Sequence, residues 1–102
     1  MSFKNAEIHR KANVYFDGKV TSRSIITADG EMKTLGVILP GVYRFSTQAP
    51  ERMEITQGHC RVKLADKQGW EDYQAGASFF VPANAHFEIE VDELLDYVCH
   101  YG

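Results

Sequence analysis

Short runs of alternating apolar and polar residues, closed by glycine, proline or other turn-forming residues, fill the chain from residue 20 to residue 101. A side-chain period of two marks a strand with one buried face. No stretch sustains the 3.6-residue period of a long helix. The runs cover 20–27, 33–39, 42–47, 51–57, 59–65, 70–74, 77–81, 86–91 and 94–101. Between them stand Asp29-Gly30, Pro40-Gly41, Gln57-Gly58, Gln68-Gly69, Ala75-Gly76 and Pro82-Ala83-Asn84, residues that supply a positive φ or a fixed bend. Many short strands at this spacing predict an all-β sandwich or barrel. One Trp, five Tyr and six Phe fit that class, because flat rings pack well on a pleated face. Residues 1–12 are polar and aperiodic, which predicts a flexible arm ahead of one domain over 13–102.

The phase of each run separates its two faces. Cys60, Val62 and Leu64 face inward, as do Phe87, Ile89 and Val91. In the last run Leu95, Tyr97, Cys99 and Tyr101 share one phase, with Val98 and His100 opposite. Residues 51–57 are the informative case. Met53 and Ile55 set the inward phase and Glu51 shares it, while Arg52 and Glu54 face water. An inward carboxylate is costly unless it is paired, hydrogen-bonded or used.

Charge and cysteine usage narrow the function classes. A formal net charge of -3 argues against nucleic acid or an anionic membrane as the main partner, though a local pocket can still be positive. No apolar run is long enough to span a membrane. Two cysteines are too few for a disulfide framework, and the first residues lack the apolar core of a secretion signal, so a cytoplasmic location is expected. Cys60 and Cys99 read as buried core thiols.

Two segments resemble the paired motifs of the cupin superfamily: Glu51 with six residues to Gly58, and Gly76 with five residues to Pro82. The resemblance implies a small antiparallel jelly-roll barrel. In metal-binding cupins two histidines precede the glutamate and a third follows the proline. Here the first two positions fall at Phe45 and Thr47, or Arg44 and Ser46, and the third at Phe87. His86, His59 and His100 are out of phase and His9 lies in the arm, so a convergent imidazole set is missing from the pattern. A metal-dependent oxygenase or isomerase is thereby disfavoured. The segments Val14-Tyr15-Phe16-Asp17-Gly18-Lys19-Val20 and Phe45-Ser46-Thr47-Gln48-Ala49-Pro50-Glu51 narrow the resemblance further. They are similar to a family of small bacterial cupins, the pyrimidine/purine nucleoside phosphorylases. The similarity runs from about residue 13 to the end, and the arm looks like an addition to the family core.

That resemblance implies cleavage of purine and pyrimidine nucleosides by inorganic phosphate to free base and pentose 1-phosphate. It also implies no metal or organic cofactor, and a homodimer. The chemistry passes through an oxocarbenium-like state and requires phosphate donors, a grip on the ribose and stabilisation of the leaving base. Ser46, Thr47 and Lys19 are expected to bind phosphate, with Arg44 as a second cation, while Glu51 accepts ribose hydroxyls and offsets developing charge. Tyr43, Phe45 and Phe87 offer stacking walls. Plainer readings stand beside these. Ser46 and Thr47 precede a proline turn that needs hydrogen bonds, Lys19 follows Asp17-Gly18, Arg44 fits a surface, Glu51 can pair with Arg44 or Arg52, and the aromatics fit a core. A cupin that binds a nucleotide or sugar without catalysis is the competing functional reading.

Overall fold

A computed structural model describes residues 2–101. Met1 and Gly102, the outer ends of the expected arm and domain, lie outside the described residues. The chain opens with two short strands, β1 (Glu7–Ile8) and β2 (Asn13–Tyr15), and one 3₁₀ turn (Phe16–Gly18). Then come β3 (Val20–Ile26), β4 (Met32–Ile38), β5 (Gly41–Ser46) and β6 (Glu51–Gln57). The rest is β7 (His59–Leu64), β8 (Glu71–Gln74), β9 (Ser78–Val81), β10 (His86–Val91) and β11 (Leu95–Tyr101). Every predicted run is a strand, with ends shifted by about one residue, the usual uncertainty of such boundaries.

The strands form two antiparallel sheets. One is seven-stranded in the order β1-β3-β4-β11-β6-β9, with β2 also on β3; the other is four-stranded, β5-β10-β7-β8. The inward phases meet in register: Cys60 opposite Val91, Val62 opposite Ile89, Leu64 opposite Phe87. Both sheets feed one core, with Val20, Ile38, Ile55 and Leu95 from the first and Cys60, Val62, Phe87 and Ile89 from the second. Each such apolar side chain taken from water contributes about 1.5–3 kcal/mol, which makes this shared face the main source of stability.

Glu51 opens β6 and Gly58 stands between β6 and β7, which belong to different sheets. Gly58 turns that corner at φ +98°, and a Cβ there would lie 2.6 Å from the Leu94 carbonyl oxygen, so only glycine fits. The N-terminal arm is partly organised: β1 pairs with Ile25 and Ile26 of β3, and Arg23 donates to the Arg10 carbonyl at 2.8 Å. The segment's polar, aperiodic sequence hides this, because edge pairing uses backbone groups. Among the described residues no helix is long and apolar enough to cross a membrane.

Within the 3₁₀ turn, Phe16 and Asp17 hold positive φ (52° and 55°), a region that bulky residues avoid. The contortion lays the Phe16 ring edge-on against Tyr43 and Phe45, with centroids 5.0 and 5.5 Å away. From Phe45 the ring contacts continue through Phe87 and Phe79 to Tyr73.

Candidate active site

Where the seven-stranded sheet should present an apolar inner face, polar residues line up across it in register. One row runs Asn13, Ser22, Gly36, Tyr97 over β2, β3, β4 and β11. The next runs Ser24, Thr34, Cys99, Met53 over β3, β4, β11 and β6. The third pairs Tyr101 with Glu51. Opposite this polar floor stands an aromatic roof of Phe16, Phe45 and Phe87, with Phe45 stacked on Phe87 at 5.5 Å. Between them lies a cavity of about 480 Å³, in the range of small-molecule sites. Arg44 and Ser46 border it, and both are exposed. Exposure along β11 falls from 40% at Tyr101 to 7% at Tyr97, so the cavity has an open and a closed end.

Glu51 is half-buried in this space. Its one side-chain partner among the described residues is the Cys99 thiol, which donates to Oε1 at 3.4 Å. Burial raises the Glu51 pKa above the usual glutamate value, and the thiol bond only partly opposes it. The pairing with Arg44 or Arg52 weighed from sequence is not formed. Arg52 instead donates to Ser78 at 3.2 Å and lies 4.0 Å from Glu54, on the outer face. A carboxylate accepts about four hydrogen bonds, so most of Glu51's capacity faces the cavity unused. Cys99 is pushed up to about 12 by burial and by the neighbouring Glu51 charge, and stays a thiol. Burial likewise holds the Tyr97 and Tyr101 phenols protonated. Among the described residues bordering the cavity, that leaves Glu51 and Arg44 as the groups able to carry full charge near neutral pH.

The structure brings together Glu51, Phe45, Ser46 and Phe87, with Arg44 beside them. It separates Thr47, Tyr43 and Lys19 from the cavity lining. Thr47 is buried, and its hydroxyl donates to the Pro82 carbonyl at 2.6 Å and accepts from the Ala85 N–H at 3.1 Å. It fastens the end of β5 to the β9–β10 loop, so the turn-satisfying reading describes its hydrogen bonds. Tyr43 is also buried; its phenol donates to the Leu39 carbonyl at 2.8 Å and supports Phe16 and Phe45 from behind. Lys19 is exposed just after the 3₁₀ turn, where its backbone N–H caps Phe16.

The histidines lie on the outer surfaces. His100 Nε2 is 2.8 Å from Glu54, while its Nδ1 is 2.7 Å from the Lys33 ammonium. An ammonium only donates, so Nδ1 accepts and Nε2 carries the proton given to Glu54. His59 sits between Asp72 and Asp92, at 2.9 and 3.5 Å, and the Asp72 bond raises its pKa.

Sequence reasoning passed over most of the floor: Asn13, Ser22, Ser24, Thr34, Tyr97 and Tyr101. The signal was present for the last two, since they share an inward phase with Cys99 on the strand that pairs with Glu51. Ser22 and Thr34 are likewise inward polar residues, in phase with the buried Val20 and Ile38 of their own strands.

Similarity to known proteins agrees with this picture. Residues 10–101 match the family model described as pyrimidine/purine nucleoside phosphorylase. A pyrimidine/purine nucleoside phosphorylase of Cupriavidus pinatubonensis is 54% identical over 100 residues, covering 98% of this chain and 95% of that one. The family model begins at residue 10, while the alignment with this relative reaches into the N-terminal segment as well. A solved protein of unknown function from Acinetobacter sp. ADP1 superposes with a TM-score of 0.96 at 50% identity, over 99% of this chain and 98% of that one. A cupin superfamily protein from Desulfitobacterium hafniense superposes with a TM-score of 0.67 at 14% identity, over 89% of this chain and 81% of that one, a likeness of fold.

Proposed function

The chain belongs to the pyrimidine/purine nucleoside phosphorylase family, and from that premise we propose that its cavity cleaves purine and pyrimidine nucleosides with inorganic phosphate. A phosphate oxygen bonds to C1′ while the bond from C1′ to the base nitrogen breaks, and the bonding pair leaves with the base. The products are pentose 1-phosphate and the free base, protonated from the medium.

The observation that carries this reading is Glu51, a half-buried carboxylate without a cationic partner among the described residues, set between a polar floor and an aromatic roof. Its unused lone pairs suit ribose hydroxyls, and its charge opposes the positive charge that develops on the sugar. Arg44 and Ser46 at the open end suit the incoming phosphate dianion, in place of the Thr47 and Lys19 first expected there. Phe16, Phe45 and Phe87 suit a flat base of either class, because stacking does not depend on its hydrogen-bond pattern. Incubation with uridine or adenosine tests the reaction directly. One pentose 1-phosphate should form per base released, and only when phosphate is present. Nucleoside that binds but stays intact would favour a binding protein.

A homodimer is part of the proposal. Among the described residues β9 is an edge strand paired only with β6, and its outward Phe80 is 70% exposed, a surface that a second copy can cover. Sedimentation should give twice the 11.5 kDa of one chain; a monomer at working concentration would remove this part.

A further inference from the structure

Departure of the base places an electron pair on a ring nitrogen and spreads it to the ring's other acceptors. A group that donates a hydrogen bond there lowers the barrier most when it is already oriented. Neither Glu51, an acceptor when ionised, nor Arg44 at the phosphate end fills that role.

The first row of the floor is built to supply such a donor. Asn13, Ser22, Gly36 and Tyr97 occupy matched positions on four adjacent strands. Gly36 has no side chain, and the tip of Tyr97 occupies the vacated space: a Cβ at Gly36 would lie 2.6 Å from both Cζ and Oη of Tyr97. The phenol thereby reaches across β4 toward Ser22, the residue in register with Gly36 on β3. The hydrogen-bond polarity along this row is set from the far end. The Asn13 side-chain amide donates to the oxygens of Ser22 and Ser24, each at 3.2 Å. With its oxygen accepting from Asn13, Ser22 keeps its own hydrogen to offer the Tyr97 oxygen. The Tyr97 hydrogen is then free, and Tyr97 borders the cavity at its closed end.

Charge decides what this hydrogen meets. Tyr97 lies four residues along β11 from Tyr101, the partner of Glu51, which is roughly 13 Å at the usual rise of a strand. The phosphate dianion belongs with Arg44 at the open end. The closed end offers hydroxyls and an amide, suited to a neutral heterocycle that gains charge only in the transition state. We propose that Tyr97, oriented by Asn13 through Ser22, is the hydrogen-bond donor to the departing base. The inference rests on the phosphorylase reading and deepens it: Tyr97 touches the substrate, and Asn13 and Ser22 are positioning residues.

The test compares uridine with 5-fluorouridine, whose base is the better leaving group, in the parent, Tyr97→Phe and Asn13→Ala proteins. Tyr97→Phe should lower turnover of uridine about 100-fold and that of 5-fluorouridine far less, with the KM for phosphate unchanged. Asn13→Ala, which leaves the phenol in place, should give a smaller loss with the same dependence on the leaving group. Equal losses on both substrates, or an effect confined to the KM for phosphate, would overturn the assignment. Equilibrium binding of uracil separates this inference from the reaction beneath it. Should the parent cleave no nucleoside, the phosphorylase reading fails. A roughly threefold to tenfold weaker grip on uracil in Tyr97→Phe would still support the donor, and unchanged binding would sink it.

Discussion

Glu51 and Thr47 lie four residues apart in sequence, and each shows how its surroundings set a polar side chain's task. Burial raises the Glu51 pKa above the ordinary glutamate value, so the fold favours its protonated form. That preference stabilises the protein at low pH and is lost as pH rises through the raised pKa. Replacing Glu51 with Gln therefore removes a desolvated charge and should not lower the melting temperature at neutral pH. Thr47 is the opposite case. Its buried hydroxyl is fully engaged with Pro82 and Ala85. Thr47→Val leaves those backbone groups unsatisfied and should destabilise the protein by about 1–3 kcal/mol in denaturant titration. The KM values of the folded fraction should stay close to the parent's. A loss of phosphate affinity without a loss of stability would return Thr47 to the binding site.

At the level of elements, the 3₁₀ turn holds Phe16 in strained backbone so that its ring closes the roof over β5. Phe16→Ala should raise the KM for nucleoside about tenfold while leaving that for phosphate unchanged, as initial rates at varied concentrations of each would show. Equal effects on the two would mean that the turn shapes the whole cavity. The turn was hard to foresee because no period exists over three residues, whereas the longer runs announced themselves by alternation. Residues 86–91 form a strand with the predicted ends because Phe87, Ile89 and Val91 bury one face along its full length. Residues 51–57 also keep their predicted ends, with Met53 and Ile55 buried between the half-buried Glu51 and the exposed Gln57. Alternation also put Glu51 inside. It could not show that β6 and β7 lie in different sheets, since a period of two is blind to a strand's neighbours. For the same reason the floor stayed hidden: Asn13, Ser22 and Tyr97 are distant in sequence and become one group only through the register of four strands.

Across the whole molecule, two sheets share one core, and the space they leave unfilled is polar on one side and aromatic on the other. A cavity built only as a packing defect would be lined by apolar groups. This one keeps a carboxylate half out of water with little to offset the cost, an arrangement that stability alone does not favour. In our proposal this carboxylate carries the reaction of the family to which the chain belongs. The decisive measurement is the pH profile of uridine phosphorolysis for the parent and Glu51→Gln, with melting temperatures taken on the same samples. The parent's kcat/KM should fall with acid through a pKa above the ordinary glutamate range, since only the ionised carboxylate opposes the charge on the sugar. Glu51→Gln should lose that limb and roughly 100- to 1,000-fold in turnover, with a melting temperature at or above the parent's. An unchanged turnover and acid limb in Glu51→Gln would refute this role for the carboxylate, as would a variant that loses activity only because it unfolds.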